Sequence, residues 1–392
     1  MKTSYHTLSI IFLLSFILRI PISLVYGDNY LENEWGILVK NLIEHKTLAI
    51  LNFEDLYVPN LWMPPLYAYF LFSISLLFET LNNSYINTVL IIQCALSSVS
   101  VVIFYKILKN FYNNNISLIG SFVFSFFPLN FYSSTQISSA SIVIFLSMFF
   151  YYFLIKITEE KKIIYLILFS ITAGLLILSR REFILLFIIT NFFLFFFIKI
   201  NLKKIFLILL LTSLVVSPYL VRNYMAFNKI IIQAGFGYNV WKAYNPMAKV
   251  EGYYLPSEEL KEKISSIEQD KFFRINEDKL YLKQAITYIY DEPLKYLRLY
   301  VLRLFSYYFI DFDSSQKNYY NFFHIAPNIL ISIFFFLSLF RYDKKSILQN
   351  YFLFIFFTYL FLISSFAVLP RYKLYIIPIQ LLFSLNLLSK KN

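Results

Sequence analysis

The chain has 392 residues, of which 59% are hydrophobic and only 15% are charged, and its mean hydropathy is +0.62. Soluble globular chains are nearer half apolar and a quarter charged, and a single soluble core stops growing at roughly 250–300 residues. The surplus of apolar side chains must face lipid, which excludes an ordinary soluble protein. The net charge of +12 does not indicate nucleic-acid binding, because the basic residues cluster at the ends of apolar runs, as membrane topology requires.

Ten apolar runs are candidates for membrane spans, since a spanning helix needs about 20 mostly apolar residues. In chain order they are residues 8–26, 85–105, 116–129, 137–155, 163–178, 183–198, 205–220, 322–340, 348–366 and 374–388. Two further runs, 66–81 after Pro64 and Pro65 and 296–312 with Arg298 and Arg303, either span as a pair or lie at the interface. The sequence therefore predicts an all-α membrane protein with a bundle of about 10–12 transmembrane helices.

The distribution of basic residues predicts how this bundle is oriented. If the ten runs alternate with the N-terminus in the cytoplasm, every short inner loop is basic, as the positive-inside rule requires. No cleavage site of the small-x-small type follows the first run, so we interpret it as an uncleaved helix. Two hydrophilic segments then face outward: the first outer loop, residues 27–65, and the large outer loop, residues 221–321. A Lys- and Glu-rich stretch of the large outer loop, residues 257–283, predicts a solvated helix or pair of helices.

Three carboxylates open the first outer loop: Asp28, Glu32 and Glu34. A carboxylate at this place could act as a general base that takes a proton from an acceptor hydroxyl or amine. Glu32 and Glu34 are two residues apart, so on a helix they point in different directions and only one of them is expected to face a site. The alternative interpretation is that all three are ordinary solvated loop carboxylates.

Cations occur on the predicted outer face, where the positive-inside rule disfavours them. They come from widely separated points of the chain, namely Arg180, Arg181, Arg222, Arg371 and Lys373. Arginine forks at a membrane boundary suit the phosphate of a lipid carrier. For Arg180 and Arg181 the alternative is snorkelling or an ion pair with Glu182. In the large outer loop, Tyr238 and Asn239 follow two glycines that allow a tight turn, and Asn239 could bind a polar ligand.

Short motifs recur in a fixed order over nearly the whole chain. After the acidic first outer loop they are Asn41-Leu42, Pro64-Pro65-Leu66-Tyr67, Phe127-Pro128 with Tyr132, Gly174-Leu175 before Leu178-Ser179-Arg180, Arg222-Asn223-Tyr224, Gly237-Tyr238-Asn239, Glu292-Pro293 and Arg371-Tyr372. This ordered set resembles the bacterial polytopic glycosyltransferases of the GT-C class, in family 39, which includes protein mannosyltransferases and aminoarabinose transferases. The resemblance implies a single GT-C-type membrane domain over residues 1–392, located in the inner (plasma) membrane with its active site on the periplasmic or extracellular side.

The resemblance also implies a chemistry and a set of site residues. A sugar on a polyprenyl phosphate is transferred outside the membrane with inversion and without a nucleotide sugar. Independently of the resemblance, the sequence offers few candidate metal ligands, so neither a metal nor a cofactor is expected. The catalytic carboxylate is expected to be Glu34, then Glu32, then Asp28. The donor phosphate is assigned to Arg180, Arg181, Arg222 and Arg371, and the substrate pocket to Tyr238, Asn239 and Tyr372. Two positions depart from the family pattern: Leu31 replaces an aspartate, and serine occupies the segment 135–139 where many relatives have a glutamate.

The predicted function is thus an inverting glycosyltransferase that acts on a cell-envelope glycan, lipid or protein and takes part in lipopolysaccharide or glycan biosynthesis. Two alternatives stay open. A carrier or flippase for a lipid-linked glycan would also place cations near a lipid phosphate, but it would more often carry charge along a central cavity, whereas the middles of these runs are nearly free of charge. The second alternative is a non-catalytic membrane scaffold, which would tolerate removal of the charges of Arg180 and Arg371 together.

Overall fold

The computed structural model describes residues 5–31, 33–54, 56–312, 314, 321–342 and 346–389. Within these ranges the chain is almost entirely α-helical, and its strands form one two-stranded sheet. The membrane helices are α1 Tyr5–Tyr26, α3 Pro65–Ser75, α4 Asn83–Leu108, α5 Asn114–Phe126, α6 Pro128–Ser133, α7 Ala140–Glu160, α8 Ile163–Ser179, α9 Phe183–Phe196, α10 Leu202–Phe227, α15 Phe322–Ser338, α16 Ile347–Ser364 and α17 Ile377–Ser384. The outer segments contain α2 Asn33–His45, β1 Ala49–Phe53, β2 Leu56–Pro59, α11 Phe236–Tyr244, α12 Glu258–Ser265, α13 Phe273–Asp291 and α14 Pro293–Tyr308.

The apolar helices confirm a multi-pass membrane protein. Six are long and apolar enough to cross a bilayer: α1, α4, α7, α10, α16 and the stretch Phe322–Arg341 that contains α15. Five shorter apolar helices accompany them in the described part of the chain: α3, α5, α8, α9 and Ile377–Leu387, which contains α17. The predicted all-α fold class is therefore confirmed.

Two predicted spans are interrupted in the structure. The run 116–129 is divided between α5, which ends at Phe126, and α6, which begins at Pro128, where proline suits the first turn of a new helix and lacks the N–H that would continue the old one. The run 374–388 begins inside a 3-10 helix, Pro370–Tyr375, that precedes the short α17. The ambiguous run 66–81 gives only the 11-residue α3. In each case a proline stands at or next to the start of the helix.

The first outer loop is a folded unit. After α2, strands β1 and β2 pair antiparallel, with Leu51 opposite Val58 and Phe53 opposite Leu56. Asn60 follows the hairpin and is buried. Its Oδ1 accepts hydrogen bonds from the backbone N–H groups of Trp62 and Met63, at 2.9 and 3.0 Å. These bonds fix the turn that leads into Pro64 and Pro65, and with it the direction in which the chain re-enters the membrane.

The described part of the large outer loop contains four helices after the end of α10. The charged stretch 257–283 forms α12 and the first half of α13, which confirms the predicted pair of helices. Ser257 caps α12, and Lys–Glu pairs at spacings of three and four residues line its exposed face. Trp241 of α11 packs against Tyr281 of α13, with ring centroids 4.8 Å apart. α11 is therefore held against the outer helices in a fixed position.

One charge lies deep in the membrane bundle, against the expectation that the spans carry almost none. Arg19 of α1 is fully buried. It donates hydrogen bonds to the Ser125 carbonyl at 2.6 Å and to the Ser15 hydroxyl at 2.5 Å, and its guanidinium carbon lies 5.0 Å from the centroid of the Phe131 ring. Ser125 lies in the last turn of α5, whose carbonyls lack helical partners because the helix stops before Pro128. Arg19 thus satisfies the carbonyl groups of the interrupted helix.

Candidate functional site

Two of the predicted outer-face cations, Arg180 and Arg371, lie over the ring of Tyr372. Arg180 follows α8 directly, and its guanidinium carbon lies 5.0 Å from the centroid of the Tyr372 ring and 5.1 Å from that of Tyr375. The guanidinium of Arg371 lies 5.8 Å from the same Tyr372 centroid. Burial raises the pKa of Tyr372, but the charges of Arg371, Arg180 and Lys242 more than offset this and lower that pKa overall. We call Arg180, Tyr372 and Arg371 the cationic stack.

The two arginines of the cationic stack differ in how far their charge is already engaged. Arg180 forms an ion pair with Glu182 and donates to the Tyr375 hydroxyl at 2.5 Å. Burial alone would lower the pKa of Arg180, but Glu182 and the neighbouring tyrosines raise it, so the guanidinium stays charged. Arg371 is exposed and forms no hydrogen bond or ion pair within the described part of the chain. Arg371 is therefore the cation most available to an incoming anion.

Arg181 lies beside the cationic stack and contacts the start of α11. Its Nη1 donates to the Gln233 carbonyl at 3.4 Å, and its guanidinium carbon lies 5.8 Å from the Phe236 ring centroid. Burial lowers the pKa of Arg181, although Glu182 and Asp278 act in the opposite direction. Arg181 thus joins the end of α8 to the large outer loop.

The other two predicted cations are engaged by backbone carbonyls. Arg222 donates to the carbonyl of Asn60 at 2.9 Å and to that of Leu48 at 2.8 Å, so it ties α10 to the first outer loop. Lys373 is buried, and its ammonium contacts the carbonyls of Tyr308 and Phe309 at the end of α14. Burial lowers the pKa of Lys373 to about 7. Of the five predicted cations, Arg180 and Arg371 thus belong to the cationic stack and Arg181 lies beside it. Arg222 and Lys373 are bound to backbone carbonyls.

The predicted carboxylates also lie in different environments. Glu34 is half-buried in the first turn of α2 and makes no hydrogen bond or ion pair with any described residue. Asp28 accepts a hydrogen bond from the Ile137 N–H at 2.6 Å, and its own N–H donates to the Thr135 carbonyl at 3.1 Å. Asp28 thus anchors the serine-containing segment 135–139. Glu32 lies outside the described residues, and the described part of the chain holds no group of three His, Cys, Asp or Glu side chains that could bind a metal.

The first turn of α11 connects the carboxylate with the cations. Tyr238 lies close enough to Glu34 and Glu277 for their charges to add to burial in raising its pKa. Phe236, two residues earlier, contacts Arg181 on the basic side. The Tyr238 N–H donates to Asp278 Oδ1 at 2.9 Å, which fixes this turn on α13. Asn239 is exposed, and its side chain donates to the Gly235 carbonyl at 2.6 Å. Tyr238 therefore lies within electrostatic range of Glu34, whereas Asn239 stabilises the helix start.

The structure adds an aromatic partner to Tyr238, namely Trp62 of the first outer loop. The ring centroids of Trp62 and Tyr238 lie 4.9 Å apart. The guanidinium carbon of Arg274, on α13, lies 5.0 Å from the centroid of the Trp62 ring. Gly235 lies against Trp62 and has a φ of +100°, a conformation that favours glycine. The Gly235–Gly237 spacing was the signal in the sequence, because it marks a close approach of two backbones or of a backbone and a ring.

Comparison with known proteins bears on the fold of the chain. The model of the dolichyl-phosphate-mannose-protein mannosyltransferase family matches residues 63–221, which include Arg180 and Arg181 but neither the first outer loop before Met63 nor the cationic stack's Arg371. The apo oligosaccharyltransferase of Archaeoglobus fulgidus superposes with a TM-score of 0.55 at 14% identity, over 98% of this chain and 50% of that one. The fold is of the GT-C type. The resemblance to the GT-C class is thereby confirmed.

Two further solved structures are similar to the GT-C fold of this chain. AglB from A. fulgidus, in complex with an inhibitory peptide and a dolichol-phosphate, has a TM-score of 0.52 at 13% identity, over 96% of this chain and 50% of that one. ArnT from Cupriavidus metallidurans, bound to undecaprenyl phosphate, has a TM-score of 0.44 at 9% identity, over 98% of this chain and 77% of that one. The chain thus spans about half the length of the oligosaccharyltransferases it matches. No curated protein sequence matches the chain significantly.

Proposed function

We propose that this chain transfers a sugar from a polyprenyl-phosphate donor to a cell-envelope acceptor at the outer face of the membrane, with inversion. The observation that carries the proposal is the position of α11, whose Tyr238 lies within electrostatic range of the unpartnered Glu34 and whose Phe236 contacts Arg181. A base and an anion site close to each other at a membrane boundary are what transfer from a lipid phosphate requires. The GT-C fold and the mannosyltransferase family match support the same reaction class.

The proposed reaction is a single displacement. The acceptor oxygen or nitrogen gives its proton to Glu34 and forms a bond to the anomeric carbon of the sugar. The bond between that carbon and the phosphate oxygen breaks, and the electron pair leaves with the polyprenyl phosphate. Arg371 and Arg180 stabilise the negative charge that grows on the phosphate. Attack from the side opposite the leaving group inverts the anomeric configuration.

The geometry orders the predicted residues within this proposal. Glu34 is the first candidate for the base because its oxygens are unpartnered; Glu32 stays second and Asp28, which holds the segment 135–139, third. Arg371 and Arg180 are the main phosphate ligands, with Tyr372 between them and Arg181 beside them. Arg222 supports the site by holding the first outer loop.

The substrate pocket is placed by the proposal along the first turn of α11. Tyr238 with Trp62 would offer ring faces to a sugar or acceptor next to Glu34, and Asn239 would fix the helix start that presents them. The proposal includes the inner (plasma) membrane as the location, a cytoplasmic N-terminus and an outward-facing site, because the basic short loops favour that orientation.

The proposed function is tested with the purified full chain in lipid nanodiscs and a panel of radiolabelled polyprenyl-phosphate sugars, with envelope extract as acceptor. We expect label in the acceptor and release of polyprenyl phosphate in equal amounts. A second assay in sealed vesicles follows movement of intact donor between leaflets. Donor movement without transfer would replace the proposal with the carrier alternative, and neither activity with any donor would favour the scaffold.

A further inference from the structure

We infer that Lys242 is a third cation of the donor-phosphate site, one that the outer loop brings to the cationic stack. The inference rests on the proposed function for the identity of the ligand, a polyprenyl phosphate. Lys242 lies on α11, four residues after Tyr238, so the two side chains lie on the same face of the helix.

The packing of α11 places Lys242 against the segment that leads into the cationic stack. A Cβ built on Gly252 would lie 2.9 Å from Lys242 Cγ and 2.8 Å from the Cβ of Ala367, so both side chains border the same glycine. The rings of Phe236 and Phe366 are 6.0 Å apart, and the Val368 N–H donates to the Val250 carbonyl at 3.0 Å. The chain then continues through Pro370 to Arg371 and Tyr372.

The backbone around Lys242 is fixed on both sides. The Lys242 carbonyl accepts a hydrogen bond from the Tyr253 N–H at 2.9 Å. Arg303 of α14 is fully buried and donates to the carbonyls of Ala243 and Lys249, at 2.5 and 2.9 Å. A lysine on a backbone held in this way loses little backbone freedom when it binds a ligand.

The ammonium of Lys242 is available and acts on the cationic stack. Lys242 is half-buried, and its side chain makes no hydrogen bond or ion pair with any described residue. Its charge helps Arg371 and Arg180 to lower the pKa of Tyr372. Glu182 is the acidic group that acts on Tyr372 from the other side, and it is already paired with Arg180. Lys242 and Arg371 therefore supply the positive charge at the cationic stack that is not paired with a described carboxylate.

The consequence is that one short helix would contact both reactants. Tyr238, in its first turn, lies within electrostatic range of Glu34, and Lys242, one turn later, would bind the phosphate. Binding of the donor phosphate would hold α11 in place and thereby also position Tyr238 beside Glu34. Lys242 is a binding residue in this account, and its loss should weaken donor binding more than it slows the bound donor.

The inference is tested by titrating the full chain in lipid nanodiscs with polyprenyl phosphate and measuring Kd for Lys242→Gln, Lys242→Met and Lys242→Arg. Lys279→Gln, which removes an exposed lysine of α13, is the matched control. A charge-assisted contact with phosphate predicts a Kd raised about 10- to 100-fold in the Gln and Met variants. The Arg variant should stay within about threefold of the wild type, since a cation is retained, and the control should not change.

Unchanged Kd in Lys242→Gln or Lys242→Met would overturn the inference, as would an equal loss in the control or no binding by the wild type. A lowered melting temperature with parallel loss in Lys242→Arg would show a structural role and would also overturn it. Sugar transfer is measured separately. If Kd depends on Lys242 but no sugar moves, the proposed reaction fails while the phosphate site stands.

Discussion

At the residue scale, identical side chains acquire different roles from the groups that surround them. Arg371 and Arg222 are both predicted outer-face arginines. Arg371 is exposed beside Tyr372, whereas the guanidinium of Arg222 donates hydrogen bonds to the carbonyls of Asn60 and Leu48. Sequence reasoning grouped them because charge and predicted depth were its only criteria. The number of donors left free separates them, and that number depends on tertiary contacts.

The contrast between these arginines gives a first prediction. Arg371→Gln should reduce sugar transfer about 10- to 1000-fold, since it removes a charge from the leaving phosphate, and should leave the melting temperature within about 2 °C of the wild type. Arg222→Gln should lower the melting temperature, because it removes the two hydrogen bonds that join α10 to the first outer loop, at a cost of about 1–3 kcal/mol in total. Transfer kinetics and thermal unfolding of both variants check this. Equal effects of the two substitutions on both quantities would refute the division of roles.

Lys373 gives a second prediction at this scale, about pH. Its pKa is about 7 in the folded chain, whereas 10.5 is the ordinary value for a lysine. Below pH 7 both states hold the proton, and the folded state bears the full cost of the buried charge. Between pH 7 and about 10.5 the unfolded chain still binds a proton that the folded chain has released, so the free energy of unfolding rises with pH.

The measurement is thermal unfolding in detergent from pH 7 to pH 10, for the wild type and Lys373→Met. Over this pH range the melting temperature of the wild type should rise relative to that of the variant, which lacks the titrating lysine. Parallel curves for the two proteins would show that Lys373 does not titrate there.

At the scale of elements, the sequence predicted the long helices well and the short outer elements poorly. Apolar length is a local property, so α1, α4, α7 and α16 could be located to within a few residues. The strands β1 and β2 pair with each other but pack on distant residues such as Phe273, and α11 is held by Asp278; single-sequence patterns do not carry such contacts. Proline explains the remaining error, since Pro128 divides a run that hydropathy alone treats as continuous.

Gly237 gives the prediction for this scale. A Cβ at Gly237 would overlap the carbonyl oxygen of Asp278, and Leu282 Cβ would be 2.9 Å away. Gly237→Ala should push α11 away from α13, at a cost of about 1–3 kcal/mol, and should reduce transfer because Tyr238 moves with the helix. Lys279→Ala on the exposed face of α13 is the control. Transfer rates and melting temperatures check this, and full activity in Gly237→Ala would mean that α11 does not position the site.

At the scale of the whole molecule, the membrane bundle brings distant outer loops to one place. Glu34, Arg180, Tyr238 and Arg371 are separated by up to several hundred residues, yet Glu34 acts electrostatically on Tyr238 and both arginines lie over the Tyr372 ring. The sequence could predict that these groups share one face of the membrane, because alternation of spans determines sidedness. It could not predict which of them meet, since that depends on how the helices pack.

The proposed orientation gives a prediction of its own. The native Cys94 is buried, so background labelling by a membrane-impermeant maleimide should be low. In intact cells, Lys263→Cys on α12 should be labelled, and Lys203→Cys at the start of α10 should be labelled only after permeabilisation. The reverse pattern would invert the topology and move the candidate site to the cytoplasmic side.

The central claim is that Glu34 is the base of a sugar transfer, and one comparison tests it most directly. Transfer of labelled sugar from a polyprenyl-phosphate donor is measured for the wild type, for Glu34→Gln and for Glu44→Gln, the last altering an exposed carboxylate of the same helix. General-base catalysis contributes about 10²–10⁴-fold. Glu34→Gln should therefore lose at least about 100-fold in rate with unchanged melting temperature and donor binding, while Glu44→Gln keeps full activity. Wild-type transfer by Glu34→Gln would contradict the account.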